Sequence, residues 1–268
     1  MHKHTKSNTS LTICSLNVNR SNAATHAAMN AIAESQNPPF DILLLVQEPW
    51  WEKIHTSYGM VSFMGWQVIL PKRPLGERER PQVAAYHRQG ANIEIMLRNN
   101  IITDLDIMIL DARRESSNRE PTHIINIYNQ KALGEHQQVE WTIDRLARVT
   151  IDHTKPMIIT SDWNIRHPDW DDGVSTACPR TRETLKWIKG NRLVICNEPN
   201  VPTREDSMGH TSVIDLTFKN MAANGANVLT GHHVDVTLHH GCFCQSCVTH
   251  APTLMSDRDT MQLSHRHA

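Results

Sequence analysis

The 268-residue sequence has no run of about 18 apolar residues, so it offers no membrane-spanning helix. It has almost no net charge, with 27 Lys and Arg against 28 Asp and Glu. No overall basic field therefore advertises a nucleic-acid partner, although 17 His can add positive charge below pH 7. The N-terminus, Met1-His2-Lys3-His4-Thr5-Lys6, is basic, but no apolar signal core follows it. There is no internal repeat and no low-complexity segment. Cysteine is sparse. Cys14, Cys178 and Cys196 are scattered, and the first and third sit in apolar strand-like runs that suit reduced core thiols. These absences point to an intracellular protein. Its length allows one large domain or two small ones, with ample chain to bury a core.

What is present is a series of short strands broken by a few helices. Leu11–Val18 reads as a strand. Ser21–Gln36 reads as a helix, with Ser21 as its cap and Asn37-Pro38-Pro39 as its stop. Asp41–Val46 is a continuous apolar run, as in a strand buried on both faces. Strand patterns follow at 66–70, 82–87, 92–97, 105–110 and 123–128. A helical stripe runs through 136–149 on Val139, Ile143 and Leu146, and a second helix spans Arg180–Lys189, closed by Gly190. Met157–Ile159, Leu193–Cys196 and Ser212–Phe218 complete the strands. Runs of strands without strict βαβ alternation predict two mixed or antiparallel sheets packed face to face, with helices outside. The pattern fades near Asn224. The domain is expected over 10–222, followed by an irregular His- and Cys-rich tail over 223–268.

The polar residues that close these strands carry the chemistry. Pro156–Trp170 is the clearest stretch. An apolar strand runs into Ser161-Asp162-Trp163-Asn164, and period-2 alternation aims a carboxylate and an amide at one spot. Such a pair can grip a metal-bound water or a phosphate, and it can equally be an Asx turn closing a strand. Asn17 and Asn19 repeat the pattern at the end of the first strand. Glu48 directly follows a fully buried strand, which puts it at a rim. Tyr128 ends another strand, and Asp215 lies inside Ser212–Phe218.

In this order the strand ends resemble the endonuclease/exonuclease/phosphatase superfamily, whose fold is DNase I-like. Within it they resemble the endonuclease domain of LINE-type (non-LTR) retrotransposons of the fungal branch. The matching motifs are Leu16-Asn17-Val18-Asn19-Arg20, Gln47-Glu48-Pro49 and Asn126-Ile127-Tyr128-Asn129. Ser161-Asp162-Trp163-Asn164 with His167, Pro168 and Trp170 follows, then Pro202-Thr203-Arg204 with Ser212-Val213-Ile214-Asp215-Leu216. The resemblance runs from about 11 to 218. It implies a two-sheet, four-layer α/β sandwich and Mg²⁺-dependent phosphodiester hydrolysis, with Mn²⁺ as an alternative ion. Glu48 and Asn19 would hold the metal. Asp162 would deprotonate the attacking water, and Asn17, Asn164 and Tyr128 would face the phosphate. Asp215, with Ser212 beside it, would complete the metal shell or hold a catalytic imidazole. Arg20, Ser212 and His167 would bind substrate. The implied partner is DNA, the implied compartment the nucleus, and the reverse transcriptase of a parent element is not expected within this chain.

The sequence departs from the family pattern in three places. Ser161 stands where the family has Gly, which strains the turn if that position needs φ > 0. Trp163 replaces Phe. The closing Ser-Asp-His is missing: after Leu238-His239-His240-Gly241 the chain continues Cys242-Phe243-Cys244-Gln245-Ser246-Cys247-Val248-Thr249-His250. His240 and His250 are the substitute histidines, and His250 is the catalytic candidate. One reading is a degenerate gene copy whose frame slips near Gly241. Cys242, Cys244, Cys247 and His250 have zinc-ligand chemistry at cramped spacing, without a second half-site. The resemblance implies three competing functions: a DNA-nicking endonuclease domain, an inactive DNA-binding remnant, and a phosphatase of the same superfamily.

Overall fold

The computed structural model describes residues 11–35, 41–54, 57–60, 63–71, 80–90, 93–114, 120–130, 140–205, 208–223, 227–229, 233–234 and 248–250. Two six-stranded sheets face each other. The first draws on β1 (Leu11–Asn17), β2 (Asp41–Gln47), β5 (Gln67–Ile69), β6 (Val83–Arg88), β15 (Asn227–Leu229) and β17 (Val248–His250). The second draws on β7 (Ile93–Leu97), β8 (Ile107–Arg114), β9 (Thr122–Tyr128), β10 (Met157–Asp162), β11 (Val194–Ile195) and β14 (Asp215–Lys219). Their orders are β15-β17-β1-β2-β6-β5 and β11-β14-β10-β9-β8-β7. A small hairpin pairs β3 (Glu52–Ile54) with β4 (Ser57–Gly59). A three-stranded sheet joins β12 (Arg204–Glu205), β13 (Thr211–Ser212) and β16 (His233–Val234).

Helix α1 (Asn22–Ser35) covers the outer face of the first sheet, and α2 (Thr142–Ala147) and α3 (Pro179–Gly190) cover that of the second. Together with the sheets they make the four expected layers. Ser21 caps α1 by accepting the Ala24 N–H at 3.1 Å. Only the second half of the 136–149 helix is seen among the described residues. In α3 the last turn includes Gly190, and the left-handed residue after it is Arg192 (φ 53°). Cys14 is buried as expected, whereas Cys196 is half-exposed rather than a core thiol.

β2 is buried along its whole length because alternate residues serve different layers. Ile42, Leu44 and Val46 pack under α1 with Met29, while Leu43 and Leu45 face the second sheet. Each such side chain contributes about 1.5–3 kcal/mol on burial. The same alternation explains the gap between the sheets. Its lower part is apolar, with Ile13, Leu43, Leu45, Leu110, Ile124 and Ile158. Its upper part is polar, because Ser15, Gln47, Asn126, Thr160 and Thr217 share those inward-facing rows. The Gln47 Nε2 donates to Asn126 Oδ1 at 2.6 Å and to Ser15 Oγ at 3.1 Å. Asn126 Nδ2 donates in turn to the Val46 and Ala84 carbonyls, at 3.2 and 3.0 Å. Since the Asn126 amide must donate to two carbonyls, its oxygen must accept, which fixes the Gln47 amide as donor. This layer ties the sheets together directly beneath the rim.

One sequence expectation differs from the structure here. The strand expected over 212–218 is broken at Val213-Ile214, because those amides leave the ladder for Asp171 Oδ2 and Thr203 Oγ1. Asp215 therefore opens β14 instead of lying inside it. Beyond the boundary expected at 222, β15 and β17 pair with the first sheet and β16 with β12. Cys242, Cys244 and Cys247 lie outside the described residues.

Replacing Asn126 by Leu should leave two carbonyls without partners and the Gln47 amide with Ser15 Oγ alone. We expect a loss of about 2–4 kcal/mol in unfolding free energy. Urea titration reads this as a lower midpoint with an unchanged slope.

Candidate active site

The carboxyl ends of β1, β2, β9 and β10 open on one rim. Parallel pairing puts Asn17 level with Gln47, and Asp162 level with Tyr128. Antiparallel pairing puts Asp215 opposite Asp162. The two halves of the rim meet through one amide. Asn17 Nδ2 donates to Glu48 Oε1 at 3.1 Å and to Asp162 Oδ2 at 2.8 Å. Oxygens sharing one nitrogen at these distances are no more than about 6 Å apart. Two carboxylates so close repel by about 3 kcal/mol at an effective dielectric of about 20. A cation between or beside them relieves that repulsion.

Three groups already offset it in part. Arg20 Nε lies 3.5 Å from Glu48 Oε2. The Tyr128 hydroxyl donates to Glu48, and its pKa is pushed above the usual tyrosine range, by burial first and then by Glu48 and Asp162. Tyr128 therefore stays protonated and serves as a donor throughout neutral pH. The guanidinium of Arg180, 8% exposed, acts on Asp162 and Tyr128 from behind.

The backbone at the rim is unusual. Asn19 (φ 46°), Arg20 (φ 56°), Glu48 (φ 45°) and Asn164 (φ 47°) are all left-handed without being glycine. Such residues cost of order 1–3 kcal/mol each and persist where surrounding bonds over-determine them. Here Arg20 N–H is held by the Glu48 carbonyl at 2.7 Å, and Glu48 N–H by the Gln82 carbonyl at 2.9 Å. The Asn19 amide N–H is held by Asn17 Oδ1 at 2.8 Å, and that of Asn164 by Asp162 Oδ1 at 3.0 Å. Asx turns thus close β1 and β10 alike, and at β10 the turn and the site are the same object.

Several expected residues are placed differently. The left-handed turn takes Asn19 off the face of Asn17, so its exposed side chain is not positioned as a metal ligand by alternation. Asn17 spends its Nδ2 on the two carboxylates. Ser161 sits in β10 with no left-handed strain, and its buried hydroxyl lacks a partner among the described residues. Trp163 is core: 1% exposed, it donates from Nε1 to the Leu216 carbonyl at 3.1 Å. His167 stacks on Trp170 with ring centres 5.0 Å apart and accepts the Asp169 N–H. Ser212 belongs to the small sheet, paired with Arg204. His250 is opposite Thr12, five positions before Asn17. That places its backbone about 17 Å down the strand from the rim, so the structure does not bring it to the other candidates.

Other residues of the site escaped the sequence reading. Thr203, 1% exposed, accepts the Ile214 and Asp215 N–H groups at 3.1 and 3.0 Å and so fixes where β14 begins. Asn129 and Arg180 brace the Asp162 turn from behind. Thr203 and Asn129 stand in motifs of the resemblance without a role assigned to them; for Arg180 nothing in spacing distinguishes it from a surface charge.

Among the described residues no three His, Cys, Asp or Glu side chains converge as a metal cluster. Two carboxylates nevertheless share the Asn17 amide, and the buried Oδ1 of Asn164, two residues on from Asp162, has no partner among the described residues. Such a sparse set suits a small divalent cation that keeps most of its waters.

The raised Tyr128 and Tyr86 pKa values generate a pH prediction. Up to about pH 10 both states keep these protons. Above it the unfolded chain ionises while the folded chain does not, so stability falls as pH rises. Tyr128→Phe should make that alkaline decline shallower in guanidinium titrations run between about pH 8 and 11.

Comparison with known proteins bears on the fold and the family. The endonuclease domain of TRAS1, a telomere-specific non-LTR retrotransposon, superposes with a TM-score of 0.63 at 17% identity, covering 92% of this chain and 100% of that one. An AP endonuclease from Archaeoglobus fulgidus gives 0.56 at 15% identity, covering 91% of this chain and 100% of that one. The Xenopus laevis APE2 catalytic domain gives 0.54 at 11%, covering 90% of each. At these identities the likeness establishes the fold, a DNase I-like α/β sandwich. No protein of curated function matches the sequence. The endonuclease-reverse transcriptase family model matches residues 122–257, just over half of the chain, from β9 through Tyr128, Asp162 and Asp215. The chain belongs to the endonuclease-reverse transcriptase family of the endonuclease/exonuclease/phosphatase superfamily.

Proposed function

We propose that this chain is a Mg²⁺-dependent DNA endonuclease domain of a non-LTR retrotransposon, able to use Mn²⁺, and slow as it stands. The observation that carries the reading is the Asn17 amide bridging Glu48 and Asp162 across the two sheets. Glu48 is the metal-holding carboxylate. When bound there, the ion supplies charge neutralisation at a phosphate oxygen. Asp162 accepts the proton of a water that attacks phosphorus, forming one P–O bond while the bond to the leaving sugar oxygen breaks. Arg20, 57% exposed along its side chain, is free to swing from Glu48 to a phosphate. Tyr128 donates beside it. Asp215, level with Asp162, adds a third acid to the rim.

The leaving oxygen needs a proton or a positioned donor, and the missing Ser-Asp-His is where the family supplies an imidazole. Losing one such donor costs about 10²–10³ in rate. The register of His250 opposite Thr12 argues against its filling the gap. A DNA-binding remnant without cleavage, and a phosphatase acting on a small phosphoester, remain the competing readings. The target DNA would place the protein in the nucleus. No helix among the described residues is long and apolar enough to cross a membrane.

Supercoiled-plasmid nicking with and without Mg²⁺, beside a panel of soluble phosphoesters, separates these readings. We expect slow Mg²⁺-dependent nicking and no phosphatase activity. Glu48→Gln should abolish the nicking with little change in melting temperature, since a rim carboxylate carries no core packing. An unfolded Glu48→Gln protein would make that residue structural and refute its role.

The same assay tests the missing motif. The triple substitution Cys242→Ser, Phe243→Asp, Cys244→His restores Ser-Asp-His after Gly241 and should raise the rate, by up to about 10²–10³. His250→Ala should change nothing. Robust nicking by the unaltered chain that vanishes with His250→Ala would make His250 catalytic and overturn the account of a slow copy.

A further inference from the structure

Asn129 follows Tyr128 at the end of β9 and is 1% exposed. It contacts every residue of the turn that carries Asp162. Its N–H donates to the Asp162 carbonyl at 3.0 Å. Its Nδ2 donates to the Trp163 carbonyl at 2.6 Å. Its carbonyl accepts the Asn164 Nδ2 at 3.0 Å. Its remaining polar atom, Oδ1, accepts from Arg180 Nη2. Thus one amide residue holds the proton acceptor, the left-handed Asn164 and the residue between them.

An amide can sit either way round in its pocket, and only one way works here. Turned over, Asn129 would set its oxygen against the Trp163 carbonyl and its NH₂ against the guanidinium. Arg180 selects the productive orientation, because it can only donate. It is placed for this by α3, where Pro179 opens the helix and Cys178 is the N-cap. Its guanidinium carbon lies 5.7 Å from the Trp141 ring centre. Arg180 is also a costly residue to keep. It is 8% exposed, and its Nε has no hydrogen-bond partner among the described residues. A buried cation with an unsatisfied donor is retained at the expense of stability.

We infer that Arg180 and Asn129 form a positioning unit that sets the Asp162–Asn164 turn for water activation, an inference that rests on the endonuclease reading. Neither residue reaches substrate. Arg180 orients the Asn129 side chain, and Asn129 holds the turn at three consecutive residues. The guanidinium also supplies positive charge behind Asp162 without blocking the rim.

The test uses the full chain with Arg180→Met, Arg180→Lys and Asn129→Asp. Two readouts are taken: residue-resolved amide hydrogen exchange, and kcat and KM for Mg²⁺-dependent nicking. Arg180→Met should speed exchange at Asn129 and Asn164 while leaving Ile158–Thr160 of β10 protected. It should lower kcat about 10–100-fold with little change in KM. Arg180→Lys should recover part of both, since it restores a donor to Oδ1. Asn129→Asp keeps the acceptor for Arg180 but loses the donor to Trp163, so it should behave like Arg180→Met. This variant decides the matter if Arg180→Met does not fold.

Faster exchange throughout β10 would show a merely structural role and overturn the inference. So would unchanged exchange at Asn129 and Asn164 in Asn129→Asp. An unaltered chain that never nicks would refute the endonuclease reading alone, and the exchange pattern would still decide whether the unit positions the turn.

Discussion

The site depends on holding two carboxylates, from two different sheets, against their mutual repulsion. Glu48 comes from the end of β2 and Asp162 from the end of β10, and neither sheet alone can make the pair. The Asn17 amide donates to both, at 3.1 and 2.8 Å. It can do so only if the sheets keep their spacing at the rim. The Gln47–Asn126 contact beneath enforces that spacing, because four buried polar groups would lose partners if the sheets slid. The apolar lower half of the gap supplies non-directional burial energy, and the polar upper half fixes alignment.

The strained backbone belongs to the same account. Strand alternation alone would send Glu48, Asn19 and Asn164 to fixed faces of their sheets. A left-handed residue at each strand end re-aims the chain within one or two positions. Asn tolerates that conformation and Glu and Arg do so less readily, so Glu48 and Arg20 are the more strained of these positions. Hydrogen bonds to their main chains keep them there.

Much of this was legible in the sequence, for a physical reason. β2 and β10 are buried on both faces, so each reads as an apolar run ending in polar residues, and those endings are the rim. Asn17, Glu48, Tyr128 and Asp162 are legible that way; Asp215, expected inside its strand, instead opens β14 opposite Asp162. What misled was extending alternation past a strand end. Asn19 was paired with Asn17 by period 2, but β1 stops at Asn17. Trp163, which stands where the family has Phe, points into the outer core against Phe218, with ring centres 5.2 Å apart. Arg180 was invisible because a single arginine at a helix start reads as a solvated charge. Its burial depends on where Trp141 and Asn129 arrive from distant parts of the chain. The broken strand at Val213-Ile214 escaped notice because Thr203 and Asp171, which capture its amides, are remote in sequence.

If Glu48 and Asp162 form one hard-oxygen site spanning both sheets, a divalent cation will settle there. Anomalous diffraction from a crystal soaked in Mn²⁺ tests it most directly. The account predicts one strong peak at about 2.1 Å from a Glu48 carboxylate oxygen, on the side facing Asp162. A peak at another acidic pair, such as Asp104 and Asp106, with none at Glu48 would contradict it.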